Sequence, residues 1–157
     1  MLTVRKAIKE DAISLAPRLR EIDKRELVIS TGSTDIESIL TEGIEISSAC
    51  FVAVDSDDIP HIIFGVSPTS VSFTGCVWMV GTEAIKENWR QLLRETRQWV
   101  ERLSTNYKLL INSVYVKNPI HLRWLKWAGF TFIKVFYVKG EPFAEFVLIK
   151  HEDETNV

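Results

Sequence analysis

The chain has 157 residues, 46% of them hydrophobic, and a formal charge of -2 with a pI near 5.9. That length and apolar content suit one domain with a substantial core. The acidic balance excludes a global basic field for nucleic acid, and no apolar run reaches the length of a membrane span, so neither is expected as a partner. The opening residues Met1–Lys6 carry no signal-peptide apolar region and read as a first strand. Cys50 and Cys76 sit at the edges of apolar runs and read as free thiols rather than a disulfide. His61, His121 and His151 form no ligand pattern with them, so no metal site is expected.

Thr3–Ile8 reads as an edge strand. Asp11 starts a helix carrying Ile13, Leu15, Ala16, Leu19 and Ile22, which Pro17 should kink or shorten. Lys24-Arg25-Glu26-Leu27 leaves that helix. Thr34-Asp35-Ile36-Glu37 has a capping-box pattern, and the short helix after it should stop at Gly43. Cys50–Asp55 and His61–Val66 flank a turn-rich segment and suggest a hairpin. Ser67–Ser70 is a second turn. Cys76–Val80 is an unbroken apolar run, as in a central strand, and Gly81-Thr82 ends it. Trp89, Leu92, Leu93, Thr96, Trp99, Val100 and Leu103 then mark the clearest helical periodicity in the chain. Leu109–Val116 is a strand. Thr131–Val138 and Phe143–Lys150 pair around Lys139–Pro142. Residues 151–157 form an acidic tail, leaving 1–150 as the domain.

Val114–Phe130 organises the rest. Two β-branched residues end a strand, Asn118 can cap a helix, and Pro119 fits its first position. Ile120, Trp124, Trp127 and Ala128 make an apolar face, and Gly129 can close the helix before Phe130. The bland alternative is a packed strand–helix–strand unit with no function of its own.

This spacing, with Gly-Phe eleven and twelve positions after the asparagine, resembles the last segment of the GNAT superfamily of N-acetyltransferases. The element order over nearly the whole chain resembles that family too. The resemblance implies a mixed α/β fold with a central, mostly antiparallel sheet of about seven strands and about four helices. It also implies a cleft where the fourth strand splays from the fifth and acetyl-coenzyme A wedges between them. In the family the pyrophosphate lies on amides of a glycine-rich loop before the long helix, where free N–H groups and the helix dipole favour anions. Under that reading Val80, Gly81, Thr82 and Asn118 would bind cofactor.

Two chemical parts are missing. The loop Gly-Thr-Glu-Ala-Ile-Lys-Glu-Asn has no glycine after Gly81 and carries Glu83 and Glu87. Seven positions after Asn118, where the enzymes often have a tyrosine to protonate the leaving thiolate, stands Leu125. Glu26 and His121 are the candidate catalytic groups; the structural alternatives are a surface carboxylate and a solvated or hydrogen-bonded histidine. A closer similarity runs from Val4 to Lys150, through Asp23 and Glu26, Val66-x-Pro68, Val77–Thr82, Asn118, Trp124-Leu125 and Gly129-Phe130. It resembles a small family of GNAT-like proteins of short-tailed bacteriophages with internal or virion-assembly roles. That resemblance implies a protein without a cofactor, in the cytoplasm of the infected host or in the virion, meeting phage structural or assembly proteins or its own copies. The alternative is an acetyl-coenzyme-A-dependent N-acetyltransferase of unknown amine.

Overall fold

The computed structural model describes residues 1–151; the remainder of the expected acidic tail lies outside the described residues. Seven strands form one sheet in the order β1-β2-β3-β4-β5-β7-β6. They are β1 (Thr3–Lys6), β2 (Ala49–Val54), β3 (Pro60–Pro68), β4 (Thr74–Gly81), β5 (Leu109–Tyr115), β6 (Thr131–Val138) and β7 (Glu141–Ile149). Neighbours are antiparallel except β4 and β5, which run parallel. Among the described residues six α-helices cover the sheet: α1 (Lys9–Leu15), α2 (Glu21–Thr31), α3 (Ile36–Ile46), α4 (Ala84–Glu87), α5 (Trp89–Leu103) and α6 (Pro119–Trp127). The mixed α/β fold and the strand number agree with the sequence reading, and the helices exceed the four expected.

Strand alternation divides the core. Val52, Val54, Ile63 and Val80 pack with Leu15, Leu19 and Leu40 from the α1–α3 layer. Val66, Val77, Leu110 and Val114 pack with Val100, Leu103 and Leu125 from the α5–α6 layer. A one-residue step along a strand changes the face, so Ala53 and Ile62 turn instead to Ile85.

The helical differences have local causes. Pro17 does more than kink the first helix: α1 stops at Leu15, a 3-10 turn takes Ala16–Arg18, and Arg20 turns extended before α2 begins. Lys24–Leu27 therefore lies inside a second helix rather than leaving the first. Asp35, not Thr34, caps α3, accepting from Ser38 N at 3.2 Å. Gly43 does not stop that helix. It lies within it, under the Trp78 ring, which a Cβ there would meet at 3.4 Å. On α6 the buried residues are His121 and Leu125, while Trp127 is 51% exposed.

β6 is the outer edge strand, and it is apolar and open to solvent. Phe132, Ile133, Val135 and Tyr137 are all exposed.

Candidate functional site

The β4–β5 ladder lasts three residue pairs, Thr74–Leu109, Gly75–Leu110 and Cys76–Ile111. Beyond it the strands diverge around a cleft of about 330 Å³. Asn112 Nδ2 donates to Val77 O at 2.7 Å, the last link before the gap. Val77, Met79, Val80, Val114, Phe130 and Phe143 supply apolar wall. On the α5–α6 side two indoles tie the helices together: Trp124 Nε1 donates to Thr96 Oγ1 at 2.8 Å, and Trp127 Nε1 to Leu93 O at 3.0 Å.

The wide end of the cleft holds a buried polar network. Arg20 Nη2 donates to Asp23 Oδ1 at 2.7 Å and to Asn118 Oδ1 at 3.2 Å. Asn118 Nδ2 donates to Asp23 Oδ1 at 3.1 Å and to Glu26 Oε2 at 3.0 Å. The carboxylates also take the backbone of both splayed strands. Gly81 N donates to Asp23 Oδ2 at 3.0 Å, and Tyr115 N to Glu26 Oε1 at 3.0 Å. His121 stands between the acids, Nδ1 at 3.5 Å from Glu26 Oε2 and Nε2 at 3.5 Å from Asp23 Oδ1. Its Nε2 is buried and has no hydrogen-bond partner among the described residues. Burial pushes the Glu26 carboxyl up, but the hydrogen bond and charge of His121 and the donors Tyr115 N and Asn118 outweigh it. The net direction is below the ordinary carboxylate value.

Several expectations change here. Glu26 is not a surface carboxylate, because its position on α2 turns it inward, and its side chain is 15% exposed. His121 is not solvated; it meets Glu26 inside the cleft. Asn118 makes no side-chain cap to α6 and spends its amide on Arg20, Asp23 and Glu26 instead. Arg20 and Asp23 belong to the same network, although sequence reasoning assigned Arg20 no role and used Asp23 only as a point of resemblance. One signal was present: Asp23–Glu26 and Asn118–His121 are polar pairs three residues apart, each on one face of a helix. The Asp23–Glu26–His121 group also places potential metal-ligand atoms within 4.8 Å of one another, a cluster the sequence spacing did not reveal. Arg20, Asn118 and Gly81 already occupy the Asp23 oxygens, leaving that carboxylate little capacity to coordinate a cation.

The cofactor loop is rebuilt. Val80 lines the cleft, but Thr82 faces away from it. Thr82 Oγ1 accepts from Ala84 N at 3.2 Å and lies 3.0 Å from His61 Nδ1, whose Nε2 is 2.9 Å from Asp55 Oδ2. This threonine–histidine–aspartate chain ties the start of the loop to the β2–β3 hairpin. Five loop amides are spent inside the chain: Gly81 N on Asp23, Thr82 N on His61 O, Ala84 N on Thr82 Oγ1, Ile85 N on Thr82 O and Lys86 N on Glu83 O. Glycine at 81 is explained without an anion, since a Cβ there would run into Ile85 Cδ1 and meet Ile85 Cγ1 at 2.9 Å. Lys86 pairs with Glu83 at 2.8 Å. The residues present therefore do not fit the pyrophosphate of an acyl-coenzyme A in the usual loop.

Among solved structures, a GNAT-family acetyltransferase from Streptococcus pneumoniae aligns with a TM-score of 0.63 at 16% identity, over 96% of this chain and 100% of that one. The aminoglycoside acetyltransferase AAC(6')-Ib in complex with coenzyme A aligns at 0.68 and 14%, over 95% of each chain. The ribosomal-protein-S18-alanine N-acetyltransferase from Escherichia coli aligns at 0.67 and 11%, over 100% of this chain and 99% of that one. No protein-family model matches the sequence, and no curated protein matches it. The chain has the GNAT acetyltransferase fold.

Proposed function

We propose that this GNAT-fold chain is a non-catalytic bacteriophage protein that acts in virion assembly or as an internal virion protein. The carrying observation is the fate of the cofactor loop. Five of its amides, from Gly81 to Lys86, are bonded within the chain, and its remaining glycine is fixed by the packing of Ile85. A loop in that state offers a pyrophosphate few donors. The exposed apolar strand β6 supports a protein-binding role, because an unpaired edge is a template for another chain. The phage setting rests on the sequence resemblance; fold by itself assigns no activity. The partners are phage structural proteins or further copies of this chain.

The test is thermal unfolding with millimolar acetyl-coenzyme A, free coenzyme A and an unrelated nucleotide. A ligand confined to the folded state stabilises by about 2.7 kcal/mol at a hundredfold excess over its dissociation constant. No thioester-specific shift, with retention of purified virion proteins on the immobilised chain, is the expected result. Turnover of acetyl-coenzyme A with any amine would overturn it.

A second reading is favoured by the meeting of Glu26 and His121 in the cleft: an acetyl-coenzyme-A-dependent N-acetyltransferase. Those two groups would then hold and move a proton at the acceptor nitrogen. A screen of primary amines for acetylation decides between the readings.

A further inference from the structure

Charge is laid down in blocks along this chain. Residues 26–85 hold nine acids and no lysine or arginine, and residues 86–128 hold nine lysines and arginines against three acids. The fold sorts these blocks onto opposite sides of the sheet. Helix α3, from the first block, sits in the α1–α3 layer, and α5 and α6, from the second, make the other layer. The formal charge of -2 conceals this split, which gives the molecule a field of opposite sign on its two faces.

On the basic side, Arg90, Arg94 and Arg97 recur at i, i+4 and i+7 and share one stripe of α5. The stripe turns towards α6, because Leu93 O beside it accepts from Trp127 Nε1 at 3.0 Å. Arg123 and Lys126 continue the patch on α6. All five cations are exposed, and none has an ion pair or hydrogen bond among the described residues. Glu101 follows one turn beyond Arg97. Trp127 is 51% exposed and pinned by its indole bond. A fixed aromatic among arginines has the composition of a protein-contact surface. On the acidic side, Leu40 and Gly43 of α3 turn to the core, which leaves Glu42 and Glu45 outward with Glu37 beside them. These three are also exposed and unpaired among the described residues. On the neighbouring α1, Lys9 and Glu10 offset each other.

We infer that the α5–α6 face of one copy docks on the α3 face of the next. The two patches match in sign and in length: at 1.5 Å per residue, Arg90 to Arg97 covers about 10 Å and Glu37 to Glu45 about 12 Å. They lie on opposite sides of the sheet, so the contact is head-to-tail and open, and copies add in a row rather than closing as a dimer. A nucleic acid would engage one face only and would meet Glu101 in the stripe; a second copy uses both faces. Two helices against one make a small interface of the transient class. The association is therefore reversible and weakened by salt. This names one partner for the assembly reading and rests on that reading for its role, though not for the contact, which lies apart from β6.

The test is sedimentation velocity of the full chain over a concentration series. At about 20 mM salt the weight-average mass should rise at least about 1.5-fold with concentration, and at about 500 mM it should return to that of one chain. Glu42→Lys/Glu45→Lys makes both faces basic, and Arg94→Glu/Arg97→Glu makes both acidic. Each variant alone should associate at least tenfold more weakly, and an equimolar mixture should associate again. Zero-length carbodiimide coupling of the wild type should join Lys126 to Glu42 or Glu45 of another copy, which still decides if a variant fails to fold. A mass independent of concentration and salt, association that survives either reversal, or a mixture no heavier than its parts overturns the inference. So does binding of a labelled oligonucleotide by a chain that stays monomeric. Acetyl-coenzyme A titration reads the proposed function separately, so either can fail alone.

Discussion

Replacing Asp23 by alanine should be among the most damaging single changes available to this chain. The Asp23 side chain is fully buried and Arg20 is 3% exposed. Truncation leaves the guanidinium buried with only the Asn118 oxygen, and it orphans the Gly81 amide. Breaking a buried pair from one side costs about 3–5 kcal/mol, a large share of the roughly 5–15 kcal/mol that holds a domain together. At about 2–4 °C per kcal/mol for a chain of this size, the melting temperature should fall by roughly 6–20 °C. The double variant Arg20→Met/Asp23→Leu removes both charges but leaves the Gly81 amide and the Asn118 side-chain oxygen unpaired, at about 1–3 kcal/mol each. In the cycle completed by Arg20→Met and Asp23→Leu, the double should cost less than the two singles summed, with a coupling of about 2 kcal/mol or more, because each single variant strands the other charge. Urea titrations with unchanged slopes give these differences. A single-variant cost below about 1 kcal/mol, or strict additivity between the two positions, would refute the reasoning.

Other expectations follow from the same geometry. Gly81→Ala should destabilise by about 1–3 kcal/mol, because the added methyl overlaps the buried Ile85 side chain; an undiminished melting temperature would contradict that. Trp124→Phe removes the indole donor to Thr96 and should cost about 1 kcal/mol while speeding amide exchange in α6. Unaltered exchange would show that the indole link does not hold the helix. The Tyr115 hydroxyl, then Lys117 and Arg25, hold the Glu141 carboxyl down at about 2, below its ordinary 4.5. The stability it contributes is present above the ordinary value and is lost as pH falls from 4.5 towards 2. Glu141→Gln should flatten that acid limb in pH-dependent unfolding, and an unchanged profile would count against the assignment.

The sheet was legible because strands carry their evidence locally. The long helix was equally plain from Trp89 to Leu103. Helix α2 was not, and the reason is physical: its buried face is carried by Asp23, with Glu26 turned inward beside it, so apolar periodicity had little to detect. Glu26 and His121 were readable as residue types, but not as neighbours, since nothing in sequence links α2 to α6. Asn118 misled in a specific way. An asparagine before proline is a good cap, and only the tertiary arrangement shows that its amide is engaged by Arg20, Asp23 and Glu26. Gly43 misled similarly, because a helix tolerates a glycine where a tryptophan packs against its backbone.

The distance along the chain between Asp23 and Asn118 also bears on how the protein is made. They are 95 residues apart, and at roughly 5–20 residues per second about 5–20 s of synthesis separate them. Throughout that interval the emerging N-terminal half has its arginine–aspartate pair without the amide that later completes it. β5, which supplies the Tyr115 amide to Glu26, is made only shortly before α6. The first four strands can collapse early, but the polar centre closes only once β5 and α6 have emerged. A ribosome-stalled fragment ending before Asn118 should therefore be compact yet readily cleaved by protease within α2, and extension past α6 should confer resistance.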